Sequence, residues 1–351
     1  MDLSAIRVFE DTGIYVILLI VQRKGENLSE PKATIVKCQD RVGHALQDAV
    51  EGKKTEGKFY SIHEVGQSAF KTEGWLVLTP TEAAIHGRLR NLPTLDEYLE
   101  VRQGVLTGAD DVFIVDNKAV PDDKPSLFIP LLRDREMQPY VLPKRTSQSL
   151  FFPFLDGSKL TEKKLRDDFP KTWAYLQRQR KRLEGRSASS RSGKAWWEPT
   201  RSREPNTLLR PKLVVPHLVI MPRFALDIRG RFAVSRSPFF LARVRDDEER
   251  ILKLMLAILN SSPCFWYIQT HSHVYRHGYT MLESKTLAKT PVPDINRWSS
   301  SEKKRLIELV DKRLEAEGHQ RDQLNSEIDR FVSDAYGLTG KERKALGFQE
   351  A

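Results

Sequence analysis

Residues 178–212 hold eleven Lys or Arg side chains against three acids, a balance of +8 in a chain of 351 residues whose formal charge is +10. The cations are Arg178, Arg180, Lys181, Arg182, Arg186, Arg191, Lys194, Arg201, Arg203, Arg210 and Lys212; the acids are Glu184, Glu198 and Glu204. Trp196 and Trp197 stand among them. Cationic side chains follow a phosphate backbone, and indole faces stack on bases or wedge between base steps, so this mixture has the chemistry of a nucleic-acid contact surface. A structural basic loop is the bland alternative. For Arg178, Lys181 and Arg182 a further one is the solvated face of a helix that buries Trp173. Sequence discrimination needs side chains on base edges, worth about 1–3 kcal/mol per bidentate pair. By type and place, Arg191, Lys194, Arg201, Arg203 and the turn Tyr275-Arg276-His277 are the candidates for that reading.

Other chemistry is sparse. The chain contains no GxGxxG, no phosphate-binding GxxxxGK[ST], no HExxH and no GxSxG. His271, His273 and His277 are the clustered histidines, but no nearby Cys or paired carboxylate completes a metal site. Asp110-Asp111 and Asp122-Asp123 read as turn acids, because adjacent residues of an extended segment point to opposite faces. The two cysteines, Cys38 and Cys264, stand far apart, which indicates neither a disulfide framework nor a zinc site and suits a reducing cytosol. No catalytic residue and no metal are expected.

The length suggests two or three domains. The longest apolar run, Ile14 to Val21, matches a buried strand and is too short to cross a bilayer. Asp2, Glu10 and Asp11 argue against a signal peptide, so a soluble, cytoplasmic chain with no membrane partner is expected. Residues 1–24 read as a strand pair whose second member belongs inside a covered sheet. A weak strand follows at Ala33 to Lys37 and a helix at Gln39 to Val50. Further helices are predicted over Leu95 to Arg102, Asp167 to Glu184 and Glu248 to Leu259, the last too apolar to be one-sided. Strands are predicted at Val112 to Val115, Leu213 to Ile220, Phe224 to Ile228 and Phe232 to Val234, with Arg229-Gly230 as a tight turn between the last two. Two amphipathic helices, Glu302 to Glu317 and Leu324 to Tyr336, close the chain, with Gly337 as C-cap and Thr339-Glu342 as a capping box.

Taken in order, several landmarks resemble the C-terminal specificity region of TaqI-like adenine-specific DNA methyltransferases, including the fused type IIG restriction–modification enzymes. Gly104-Val-Leu-Thr-Gly-Ala-Asp-Asp-Val-Phe-Ile-Val115 is similar to the segment that opens that region, and Pro130-Leu-Leu-Arg-Asp-Arg-Glu-Met-Gln-Pro-Tyr140 to the next element. Phe169-Pro170, Tyr175-Leu176, Leu183 with Arg186, Trp196-Trp197-Glu198 and Pro211 to Pro216 continue the match. Leu259 to Ser262, Thr290 to Pro293, Ile328-Asp329 and Tyr336 to Thr339 extend it over about residues 95–345. Residues 2–22 resemble the last strands of the catalytic domain. The catalytic Asn/Asp-Pro-Pro-Tyr/Phe loop and the glycine-bearing cofactor strand are absent from the sequence.

The resemblance implies an α+β specificity domain with C-terminal helices, preceded by the terminal strands of an incomplete Rossmann-like methyltransferase sheet. The implied divisions are 1–90 (catalytic-domain remnant), 91–294 (DNA recognition) and 295–351 (C-terminal helices). Gly104, Thr107, Gly108, Asp110 and Phe113 become the family-motif loop. The expected function is sequence-specific recognition of double-stranded DNA for an adenine-specific methyltransferase. A separate catalytic half would bind S-adenosylmethionine, and this chain alone would bind no cofactor. A stand-alone nucleic-acid-binding protein and an inactive fragment of a split gene are the alternatives.

Overall fold

Five consecutive buried residues, Pro238–Ala242, form the strand around which most of the chain is organised. It pairs antiparallel with Leu99–Gln103 on one side and Lys212–Val214 on the other, and Ala225–Asp227 completes a four-stranded sheet. Side chains alternate across a strand, so Phe240 and Ala242 enter one core while Phe239 and Leu241 enter another. Leu213 and Val214 divide in the same way. Because both faces are covered, the sequence here is an unbroken apolar run with no polar alternation. The computed structural model describes residues 1, 3, 17–20, 32–38, 40–67, 70, 76, 78–186, 194–275 and 278–348.

The first core lies under helices. Glu248–Leu259 buries seven of its residues, as its composition predicts. Helices Ser300–Glu315 and His319–Ala335 add Leu306, Val310, Ile328 and Val332 to the same core. Capping boxes at Ser299-Glu302 and Thr339-Glu342 satisfy orphan helix N–H groups, and Gly337 takes the left-handed conformation that ends a helix. Several landmark residues turn out to be joints. Asn260 grips the backbone of Phe224 through both Oδ1 (3.0 Å) and Nδ2 (2.9 Å). Asp329 accepts from the backbone N–H of Ser262 at the start of helix Ser262–His271, and Tyr336 Oη donates to the carbonyl of Pro291.

The second core gathers around another four-stranded sheet, ordered Ala233–Val234, Phe128–Leu132, Gln148–Phe151, Ile114–Asp116, in which the first pair is parallel. Helices Glu162–Asp168, Pro170–Arg178 and Arg180–Glu184 replace the single predicted helix over 167–184. Asp123, read from sequence as a turn acid, is buried and accepts from the N–H groups of Lys171 and Thr172 at the helix start. A small sheet of Leu218–Val219, Tyr279–Met281 and Val274–Tyr275 adds Val219 to the first core.

Four further local predictions need correction, the first being Leu213 to Ile220, which is two strands of different sheets, Lys212–Val214 and Leu218–Val219. The helix over Leu95 to Arg102 is one turn, Leu95–Tyr98, followed by strand Leu99–Gln103. The edge of Pro238–Ala242 offers five paired residues, and a helix of eight residues is marginal on its own. Val112 to Val115 is strand only from Ile114; Asp110–Phe113 is a helical turn. Arg229-Gly230 joins strands of different sheets, so it closes no hairpin.

The predicted strand and helix after residue 32 are found as Lys32–Cys38 and Val42–Val50. With Thr55–Glu56 and Tyr60–Gly66 the strand makes a three-stranded antiparallel sheet over a small core of Leu3, Val36, Cys38, Ala45 and Ile62. Parallel pairing of the Rossmann kind is not found among these described strands. Most of the predicted strand pair in 1–24 lies outside the described residues. Within the apolar run, Ile17–Ile20 are exposed, Ile20 at 76%, which corrects the expectation of a covered strand for those four. No single helix among the described residues is long and apolar enough to cross a membrane.

Helix Pro80–Leu89 docks on Ser262–His271 through an imidazole pair. His86 stacks on Tyr267 and His271, its Nε2 3.1 Å from Nε2 of His271, whose Nδ1 faces the carbonyl of Tyr267 at 2.9 Å. Donation to that carbonyl leaves His271 Nε2 as acceptor, so His86 Nε2 holds the shared proton and both rings are neutral. Burial, then the His271 ring and the Arg90 guanidinium, which oppose a positive charge beside them, holds His86 down to about 4, and burial also lowers His271. The folded form binds the His86 proton less readily than the unfolded chain. Stability is therefore fully present above about pH 6.5 and is lost as pH falls toward 4, by about 3 kcal/mol if His86 alone carries the linkage. Denaturant titrations across that range should show this slope, and His86→Gln should flatten it.

Candidate functional site

The family-motif loop is built by backbone pairing. Gly104 N–H donates to the carbonyl of Ser237 (3.0 Å), and Val105 N–H to that of Val234 (2.9 Å). Leu106 then pairs with Arg201 in both directions, at 3.0 and 2.8 Å. The glycines are required by space. A Cβ on Gly104 would sit 2.3 Å from the carbonyl oxygen of Val234. Gly108 has φ +72°, and a Cβ there would sit 2.1 Å from Thr200 Oγ1. Phe113 is fully buried against Phe151, and Tyr175 Oη holds the carbonyl of Val112 at 2.6 Å. Thr107, 1% exposed, donates its hydroxyl to Asp110, whose other carboxylate oxygen pairs with Arg236 at 3.1 Å.

The basic tract meets this loop through Arg186. Its guanidinium donates to the carbonyls of Leu183 (2.9 Å), Thr107 (2.9 Å), Trp196 (2.7 Å) and Glu198 (2.9 Å) and lies over the ring of Phe113. One planar fork thus ties the helices after Pro170, the motif loop and the Trp196-Trp197-Glu198 turn together. Burial, then the neighbouring Arg182, lowers its pKa from the usual guanidinium range. Leu106, Thr107, Gly108, Arg182, Gly185, Arg186, Thr200 and Arg236 line an open cleft of about 540 Å³ beside the loop.

Several expected contact residues are therefore structural. Arg186 is buried and committed to main-chain carbonyls, and Trp197 is 2% exposed in the second core, so neither lies on a surface. A side chain large enough to stack on a base is also large enough to fill a core, and composition does not separate the two uses. Trp196 is half-buried between Trp173 (5.5 Å) and the guanidinium of Arg180 (5.2 Å). Lys194 and Arg203 are partly buried and donate to the carbonyls of Thr200 and Gln103, and burial lowers the pKa of each. Lys212 is fully buried and bonded to Asp227 at 2.8 Å, while Arg210 pairs with Glu248 at 2.6 Å. These last two leave the cationic patch.

Arg178, Lys181, Arg182 and Arg201 remain exposed, and Arg182 pairs with Asp111 at 3.3 Å. Tyr275 is 43% exposed on its strand; Arg191, Arg276 and His277 lie outside the described residues. His271 is engaged in the imidazole pair, and no group of three metal-ligating side chains occurs among the described residues. Sequence reasoning missed two residues. Arg236 sits between Ser235 and Ser237 with no local signal, and long-range pairing of this turn, including its own N–H with Val105, brings it to the cleft. Asp134 accepts from Ser237 Oγ (2.7 Å) and from the backbone of His217 (3.1 Å), joining the cleft to the small sheet. Its place in the Pro130–Tyr140 landmark was the available hint.

No family model matches the chain. It is 23% identical over 354 residues to the type II methyltransferase M.BstVI of Geobacillus stearothermophilus, covering 97% of this chain and 59% of that protein. It is similar in fold to the type IIL restriction–modification enzyme MmeI, solved in complex with DNA, with a TM-score of 0.52 at 14% identity over 69% of this chain and 33% of that one. The type IIG restriction endonuclease BpuSI superposes with a TM-score of 0.44 at 14% identity over 92% of this chain and 41% of that one. The chain is thus homologous to a restriction–modification methyltransferase and spans about three fifths of that relative's length.

Arg186 is the testable joint. Arg186→Ala should lower unfolding stability by about 3 kcal/mol, because four buried carbonyls lose a charged donor. Arg186→Lys should recover little of it, since an ammonium lacks the planar fork. Arg182→Ala, on the surface, should change stability by less than about 0.5 kcal/mol. Chemical denaturation of the three variants reads the difference.

Proposed function

We propose that this relative of a type II methyltransferase is the DNA-recognition part of an adenine-specific restriction–modification system. In this reading, methyl transfer is supplied by groups outside these 351 residues. The observation that carries it is the Leu106–Arg201 pairing, by which the motif loop and the basic tract share one cleft with exposed Arg182 and Arg236 beside it. Arg178, Lys181, Arg182 and Arg201 would follow the phosphate backbone, which sets register without reading sequence. Tyr275 and its hairpin, with Arg276, His277 and Arg191, would supply base contacts. An enzyme that modifies a duplex base must extrude it into a pocket next to the methyl donor. No Asn/Asp-Pro-Pro-Tyr/Phe sequence occurs here to build such a pocket, so S-adenosylmethionine and the flipped adenine would be held elsewhere. The homology to M.BstVI and the likeness in fold to MmeI support the assignment.

Duplex binding by the full chain should be steeply salt-dependent. Six to ten neutralised phosphates correspond to a loss of about 10³–10⁵ in affinity between 50 and 200 mM salt. Replacing Arg178, Lys181 and Arg201 together by Ala should make the log–log salt slope shallower by about 0.9 per residue. Fluorescence anisotropy with a labelled duplex measures both, and binding indifferent to ionic strength would contradict the reading. Methyl transfer to adenine should appear only when a protein carrying the catalytic loop is added; a stand-alone binding protein would show no such complementation.

A further inference from the structure

We propose that Asp110 and Asp111 occupy the places of DNA phosphates, holding Arg236 and Arg182 ready, and that backbone phosphates of a duplex dock in the cleft by taking over these two arginines. The inference rests on the DNA-recognition reading and assigns a site within it. Arg182 comes from helix Arg180–Glu184 and Arg236 from the turn after Ala233–Val234, and both line the same cleft. Each guanidinium faces one of two consecutive carboxylates, Arg236 with Asp110 at 3.1 Å and Arg182 with Asp111 at 3.3 Å. A carboxylate and a phosphate present the same pair of acceptor oxygens to a guanidinium fork, so one substitutes for the other without rebuilding the site.

Asp110 is fixed more firmly than the arginine it faces, whereas Asp111 is as open as Arg182, with 61% of its side chain exposed. Asp110 is held from behind by the buried Thr107 hydroxyl, which also accepts from Ala109 N–H at 3.2 Å. The arginine ends are open, with side-chain exposures of 64% for Arg236 and 55% for Arg182. Surface ion pairs of this kind contribute little to stability, so exchanging the partner costs little. The turn that presents Arg236 is itself over-determined. Arg236 has φ +63°, a left-handed conformation that glycine adopts more easily. Four contacts hold it there: Arg236 N–H to Val105, Ser237 N–H to Ser235, Gly104 N–H to Ser237, and Ser237 Oγ to Asp134. Arg186, immobilised in the cleft wall, adds a fixed positive charge behind the exchange site.

The two aspartates also serve discrimination. Without a duplex they offset two of the cleft's three arginines and discourage casual anions. With one, the many phosphate contacts along the neighbouring helix make the exchange favourable as part of a larger surface.

The test is a salt series of duplex binding, read by anisotropy, on the full chain and two double variants whose melting curves are recorded alongside. Arg182→Ala with Arg236→Ala should make the log–log slope shallower by about 0.9 per arginine. Asp110→Asn with Asp111→Asn should raise duplex affinity at least about threefold, because the competing charges are gone. Wild-type binding with unchanged slope in the alanine pair, or unchanged affinity in the asparagine pair, would overturn the proposal. Absence of wild-type binding would instead overturn the DNA-recognition reading. Inorganic phosphate at matched ionic strength separates the two sources of the anion: no extra competition supports the duplex backbone, and strong competition overturns it in favour of a free anion. Should a double variant fail to melt like the wild type, Arg182→Ala alone, on the helix surface, reads half of the slope change.

Discussion

The buried guanidinium of Arg186 is the contact on which the candidate site depends. Its four carbonyl acceptors come from three stretches of chain: Leu183 in a helix, Thr107 in the motif loop, and Trp196 and Glu198 in a turn within the basic tract. A charged group taken out of water is tolerated only where its hydrogen bonds are made, and here the acceptors are themselves backbone groups that need donors. Lys194, Arg203, Arg210 and Lys212 are likewise committed to carbonyls or carboxylates, so the tract is basic without all of its cations reaching solvent.

A second constraint is the double-faced sheet. Alternation along Pro238–Ala242 sends Phe240 to the core under the C-terminal helices and Phe239 to the core behind the cleft. The two halves therefore share a rigid wall. The buried Lys212–Asp227 pair lies in that wall, and Asp227 also accepts from Arg231 and Phe232 N–H, both at 3.0 Å, where the chain leaves one sheet for the other. Burial lowers the Lys212 pKa while Asp227 opposes that shift. Asp134 makes the matching link on the other side, between the Arg236 turn and the strand after His217.

Elements with strong local signals were legible in the sequence. The apolar helix Glu248–Leu259, the two closing amphipathic helices, Gly337 and the Thr339-Glu342 box all follow from periodicity and capping chemistry. Leu99–Gln103 was misread because its partner strand lies more than 130 residues away, and a short acidic start resembles a helix N-terminus. The motif glycines were placed correctly but their reason, close approach to Val234 and Thr200, appears only in three dimensions. The tryptophan pair was the largest error. Trp196 and Trp197 are adjacent, yet one faces Trp173 near the surface and the other fills the core. Composition marked the segment that pairs with the motif loop and did not separate its buried side chains from its exposed ones.

The central claim is that the motif loop and the basic tract form one duplex-binding face. Hydrogen–deuterium exchange of the full chain with and without a duplex tests it most directly, because it locates contact without prior choice of residues. The account predicts slowed exchange in residues 104–111, 178–186, 194–203 and 234–237, with helices 300–315 and 319–335 unchanged. Protection confined to those closing helices, with the cleft unaltered, would contradict it.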